Sequence, residues 1–126
     1  FNSVSSFCTA NQDWVKHIPF SENIANLMSK HTVAIGAPGS TAWERACMGL
    51  PSIIIPLAKN QLKIGKSLVD AGCATLLSEE EIANTLNFKL DELLSDYEKI
   101  KNNNLKISDG LGARRVVKKI NELVML

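Results

Sequence analysis

The stretch Ile35–Gln61, IGAPGSTAWERACMGLPSIIIPLAKNQ, decides the fold. It opens at the end of a compact β-branched run, Thr32–Ile35, that passes straight into Gly36. A helical segment over Thr41–Met48 follows and is stopped by Gly49, a residue suited to the left-handed position after a helix. Ser52–Ile55 is then a short apolar run of the kind expected for a strand buried on both faces.

The same alternation extends outward in both directions. Upstream, Trp14–Ile18 reads as a short strand ended by Pro19, and Ser21 as the N-cap of a helix reaching Lys30. Ile24, Leu27 and Met28 fall at i, i+3 and i+4, which gives that helix one apolar face. Downstream, Gln61–Ala71 is helical up to Gly72, and Ala74–Leu77 is another short strand. Ser78 and Glu81 match a capping box that opens a short helix into the Asn84–Asn87 region. Leu90, Leu93, Leu94, Tyr97 and Ile100 form an amphipathic helix that fades at Asn102–Asn104. Ala113, Val116, Val117, Ile120 and Val124 form a last one. Repeated strand–helix units of this length imply an α/β fold, a Rossmann-like parallel sheet with helical crossovers.

At 126 residues, 45% apolar and 21% charged, the chain has the size and composition of one globular domain. Its formal net charge is +1, and Arg114, Arg115, Lys118 and Lys119 alternate with apolar Val116, Val117 and Ile120. That spacing fits a solvated helix face better than a nucleic-acid patch, so no nucleic-acid partner is expected. Cys8, Cys47 and Cys73 are odd in number and lack C-x-x-C spacing, which points to reduced thiols and a cytoplasmic setting. With only His17 and His31 besides, no metal site is expected. The longest apolar run, Leu50–Ala58, is far short of the ~20 residues that span a bilayer. The chain lacks an initiator Met and a signal-peptide pattern, and reads as a fragment that begins inside a domain.

Ligands of open parallel sheets bind beyond the carboxyl ends of the strands, which singles out Gly36–Thr41, Pro56–Gln61 and Pro19–Asn23. The first of these joins a strand to a helix and combines two glycines with Ser40 and Thr41. Backbone N–H groups of a first helical turn, the helix dipole and two hydroxyls together suit an anion such as a diphosphate. The ending is neither Walker A nor the dinucleotide G-x-G-x-x-G. Glu44 lies one helical turn beyond Thr41, where its carboxylate can hold two ribose hydroxyls; Thr41-x-x-Glu44 is equally a capping box. Arg45 reads as a solvated helix residue, Trp43 as packing or a base stack. Asn60 and Gln61 can read sugar hydroxyls or simply cap and cover a helix start. No nucleophile–base pair is evident, so no catalytic residue is assigned.

The combination G-S-T-x-W-E-R, G-L-P-S and N-Q at fixed offsets, with NIANLM before it and DGLGARRVV after it, resembles a known family. It is similar to the C-terminal domain of the UDP-sugar hydrolases of the pseudaminic-acid pathway. Spore-coat polysaccharide proteins and, more distantly, the GlcNAc transferase of peptidoglycan synthesis are relatives of these. The resemblance implies a GT-B architecture in which residues 1–126 supply a partial C-terminal domain and an absent N-terminal domain is the partner. It further implies that Gly39, Ser40 and Thr41 contact the UDP diphosphate and Glu44 the ribose. Asn60 and Gln61 would approach the sugar or phosphates, and the backbone around Ile18 and Phe20 the uracil. No cofactor or metal is implied, and the catalytic His would belong to the other domain. Hydrolysis of an N-acetylated 6-deoxy UDP-sugar is the implied reaction; a glycosyltransferase donor half and a non-catalytic binding module are the alternatives.

Overall fold

The computed structural model describes residues 2–125. Three parallel strands, β1 (Ala34–Gly36), β2 (Ser52–Ile54) and β3 (Ala74–Leu76), form a sheet in the order β1-β2-β3. Ile35 pairs with Ile53 and Ile53 with Thr75, so all three strands end on one edge. The crossovers are helices α3 (Ser40–Cys47) and α4 (Gln61–Asp70). Before the sheet come α1 (Asn2–Ala10) and α2 (Ile24–Ser29); after it come a 3-10 turn (Glu79–Glu81), α5 (Ile82–Ser95), α6 (Tyr97–Ile107) and α7 (Gly112–Val124). This is the Rossmann-like α/β arrangement implied by the strand–helix alternation.

The central strand explains why its sequence does not alternate. Ile53 and Ile54 are both fully buried, on opposite faces. Ile54 packs with Ala42, Leu68 and Cys73, and Ile53 with Leu77 and Leu93. Helices α3 and α4 cover the Ile54 side of the sheet with Ala42 and Leu68, and α5 covers the Ile53 side with Leu93. Gly49 (φ 64°) and Gly72 (φ 68°) take the left-handed conformation just past α3 and α4, which turns the chain back towards the next strand.

Several sequence expectations are corrected. Residues 14–18 form no strand: the amides of Trp14 and Val15 both donate to the Asn11 carbonyl in a turn that closes α1, and Trp14 is 70% exposed. The N-cap of α2 is Asn23, whose Oδ1 accepts from the Asn26 amide, while Ser21 Oγ accepts from the Asn23 amide one step earlier. The helix at Ser78 does not stop near Asn87 but runs on to Ser95, with the capping box formed as read: the Ser78 N–H and hydroxyl both donate to Glu81 Oε2. Asn102–Asn104 do not end a helix; they lie inside α6. Asn104 is buried and its Nδ2 donates to the Cys73 carbonyl at 2.7 Å and the Ile100 carbonyl at 2.8 Å. Asn103 donates likewise to the Gly72 carbonyl at 3.0 Å. Helix α1 was not signalled by the sequence at all; its Ser- and Thr-rich run has weak intrinsic helix preference and it buries no residue.

Candidate phosphate loop and donor site

The sheet brings two of the three singled-out loops together. Residues 37–39 leave β1 and residues 55–60 leave β2 on the same edge, and the Ile55 amide donates to the Gly36 carbonyl at 3.0 Å where they diverge. The third segment, residues 19–23, follows no strand, since the strand expected before it is absent. Ile18 and Phe20 are exposed, at 40% and 78%, and no hydrogen bond among the described residues links them to the loop after β1.

The β1–α3 loop is short and firmly held. Pro38 is fully buried and lies beside Gly65 of α4, where an added Cβ would come within 3.6 Å of the proline ring. Proline stiffens the turn and, buried against α4, also anchors it. Gly39 is the residue before α3, in an extended conformation, and its amide donates to the Ala37 carbonyl at 3.1 Å. That amide is thus engaged within the loop. The amides of Ser40 and Thr41 have no backbone acceptor among the described residues, and neither hydroxyl is engaged. Both residues are exposed at the positive end of an eight-residue helix. Two amides and two hydroxyls are therefore unpaired at this exposed helix start, the kind of donor set that suits phosphate oxygens.

Glu44 is not used as a cap. The helix begins at Ser40 rather than at Thr41, and no side-chain capping bond forms at its start. The carboxylate is exposed, makes no hydrogen bond among the described residues, and borders an apolar pocket of about 340 Å³ walled by Ile24, Met28, Trp43, Cys47 and Met48. That pocket runs towards the far end of α3, away from Gly39. Asn60 precedes α4 in a helical conformation with its side chain uncommitted and exposed. Gln61 is partly committed: its Oε1 accepts from the Leu57 amide at 2.8 Å, closing the loop after β2 and leaving its NH₂ to donate outward.

The residue that sequence reading placed wrongly is Arg45. Instead of lying on a solvated face it is 7% exposed, and its Nη2 donates to the Ala37 carbonyl at 3.0 Å. Burial pulls its pKa below the usual arginine value, partly opposed by the neighbouring Glu44 charge. The available signal was positional: Arg45 sits between buried Ala42 and Ala46 on the inward side of the helix.

Residues 1–121 match the family model described as the glycosyltransferase family 28 C-terminal domain. The chain belongs to that family. Curated relatives of this family 28 domain carry the name UDP-N-acetylglucosamine–N-acetylmuramyl-(pentapeptide) pyrophosphoryl-undecaprenol N-acetylglucosamine transferase. The protein of that name from Gluconobacter oxydans is 38% identical over 94 residues, covering 70% of this chain and 26% of the relative. The Bacillus cytotoxicus one is 33% identical over 98 residues, 73% of this chain and 27% of the relative. One from Bacillus thuringiensis strain Al Hakam is 30% identical over 113 residues, 84% of this chain and 30% of the relative. The family 28 domain thus spans under a third of the length of these relatives. Their names are those of transferases, and the narrower expectation of a pseudaminic-pathway hydrolase gains no support from them. No helix among the described residues is long and apolar enough to cross a membrane.

Proposed function

We propose that this chain is the donor-binding half of a UDP-sugar glycosyltransferase and that a second, N-terminal GT-B domain completes its cleft. The observation that carries the reading is the open donor set at the start of α3. The Ser40 and Thr41 amides and hydroxyls stand unpaired at the sheet edge where such folds take ligands. In this reading the diphosphate lies on Ser40 and Thr41, with Gly39 letting it approach the backbone. The free Glu44 carboxylate, one turn further on, accepts from the ribose hydroxyls. Asn60 and the NH₂ of Gln61 meet the sugar or the phosphates, and the backbone about Ile18 and Phe20 meets the base. The assembled protein breaks the bond from the anomeric carbon to UDP and joins that carbon to an acceptor hydroxyl, whose proton passes to a base on the partner domain. A cytoplasmic location fits a UDP-sugar donor.

Titrating UDP into isotopically labelled protein tests the site. Amide shifts at residues 39–44 and 60–61 that saturate with UDP are the expected result, and silence there at millimolar UDP would exclude it. A second reading, water as the acceptor, rests only on the resemblance of the Gly39-Ser40-Thr41-x-Trp43-Glu44-Arg45 string to the UDP-sugar hydrolases. Product analysis of the two-domain assembly separates them: a glycoside marks a transferase, a free reducing sugar a hydrolase.

A further inference from the structure

Arg45 is the only charged side chain in the buried set of described residues. A guanidinium has five N–H donors, yet a single hydrogen bond holds this one, from Nη2 to Ala37 O. Its Nε is buried without a partner, and no carboxylate lies within ion-pair distance among the described residues. A Cβ built on Gly36 would sit 3.2 Å from Nη1, so the cation lies directly against the backbone at the start of the loop. The Ala37 carbonyl accepts from two sides at once, from Arg45 Nη2 and from the Gly39 amide. Its negative end is thereby tied to the buried cation, three residues before Ser40.

An under-satisfied buried cation is costly, and an apolar side chain of similar length would fill the same space at lower cost. What the guanidinium supplies instead is a fixed positive potential behind the loop, in surroundings where salt screens it poorly. We propose that Arg45 is a positioning residue for a diphosphate. From beneath the loop it holds the Ala37 carbonyl inward and places an unneutralised positive charge behind the Ser40 and Thr41 donors. This rests on the reading of that loop as the phosphate site, and it adds a selectivity: a negatively charged diphosphate gains from Arg45, and a neutral nucleoside does not.

The test measures binding of inorganic pyrophosphate, UDP and uridine to the wild-type chain and to Arg45→Lys, Arg45→Gln and Arg45→Met, with the thermal midpoint of each. Pyrophosphate and UDP are expected to bind Arg45→Met and Arg45→Gln at least tenfold more weakly, while uridine changes less than twofold. Arg45→Lys, which keeps the charge and a donor for Ala37 O, should recover most of the loss. Should Arg45→Met fail to fold, Arg45→Gln carries the test, because it keeps a neutral donor in place of the charge. Unchanged pyrophosphate binding in Arg45→Gln overturns the proposal, and so does a loss for uridine as large as that for UDP, which would mark a structural role only. Wild-type protein that binds pyrophosphate but not UDP overturns the nucleotide reading and leaves the role of Arg45 standing. Wild-type protein that binds neither overturns both.

Discussion

A Cβ built on Gly39 meets no atom within 4 Å, whereas one on Gly36 meets Arg45 Nη1 at 3.2 Å. The two glycines of the loop therefore do different things. Gly36 makes room for a side chain of the protein itself; Gly39 leaves an open face beside Ser40 and Thr41. Its φ of −104° is one that other residues adopt, so nothing in the fold requires glycine there. Gly39→Ala is expected to leave the melting temperature within about 2 °C, since surface changes away from special features rarely exceed ~0.5 kcal/mol. UDP affinity should nonetheless fall at least fivefold, because the methyl group occupies the approach to the backbone. A calorimetric titration beside a melt checks both, and intact UDP binding by the variant would remove Gly39 from the site. Glu44 gives the complementary test. As it caps nothing, Glu44→Ala should not lower stability, but it should weaken UDP about tenfold while leaving pyrophosphate unaffected. A stability loss with unchanged UDP affinity would restore the capping role that the sequence left open.

At the scale of elements, the sheet and its crossovers were legible because their signals are local. Ser52–Ile55 showed no alternation since both faces of β2 are covered, and Gly49 and Gly72 marked helix ends because only glycine adopts their backbone readily. The errors fell where distant contacts override local preference. Three consecutive asparagines look like a breaker, but Asn103 and Asn104 reach 31 positions back to the Gly72 and Cys73 carbonyls and tie α6 to the start of β3. Asn104→Ala leaves one of those carbonyls without its partner in a buried setting, and a loss of about 1–3 kcal/mol in urea unfolding is expected. The candidate site was half legible by the same logic: the glycine-hydroxyl loop showed in spacing, but the burial of Arg45 depends on which side of α3 meets the sheet. An exposed bidentate ion pair sits at the entry to α7. Asp109 accepts from both Arg115 Nη1 (2.7 Å) and Nη2 (2.9 Å) and from the Leu111 amide (2.9 Å). These bonds, led by the Arg115 side chain, hold the Asp109 carboxyl far below the usual carboxylate range. A group lowered on folding contributes stability above its unfolded value, near pH 4, and loses it as pH falls through the folded one. The order of α7, followed by amide exchange at Leu111 and Arg115, should therefore hold from pH 7 to about 4 and fail only in stronger acid. Asp109→Asn should loosen it across that range, and a midpoint at the ordinary aspartate value would show that the ion pair is not formed in solution.

For the molecule as a whole, the proposed function separates binding from bond cleavage. Neither histidine lies on a strand or in the loops after β1 and β2. His31 Nδ1 is engaged with the Leu27 carbonyl at 2.6 Å, at the end of α2. His17 borders a groove shared with Ser5, Thr9 and Gln12 on the α1 side. A general base has to reach the reacting atoms to within hydrogen-bond distance, directly or through one water. Glu44, the one carboxylate on α3, is taken up by the ribose in the proposed reading. A sugar held as proposed at this open loop would have one side in water, where a developing charge at the anomeric carbon meets no fixed partner. The chain alone, incubated with UDP-GlcNAc, is therefore expected to release UDP no faster than buffer, even at concentrations where UDP shifts the amides of residues 39–44. A coupled assay for UDP decides it. Release above background that disappears in Glu44→Ala would place the chemistry on this domain and overturn the division of labour. Binding without release would leave the domain as the part that holds the donor, with activation of the acceptor assigned to its N-terminal partner.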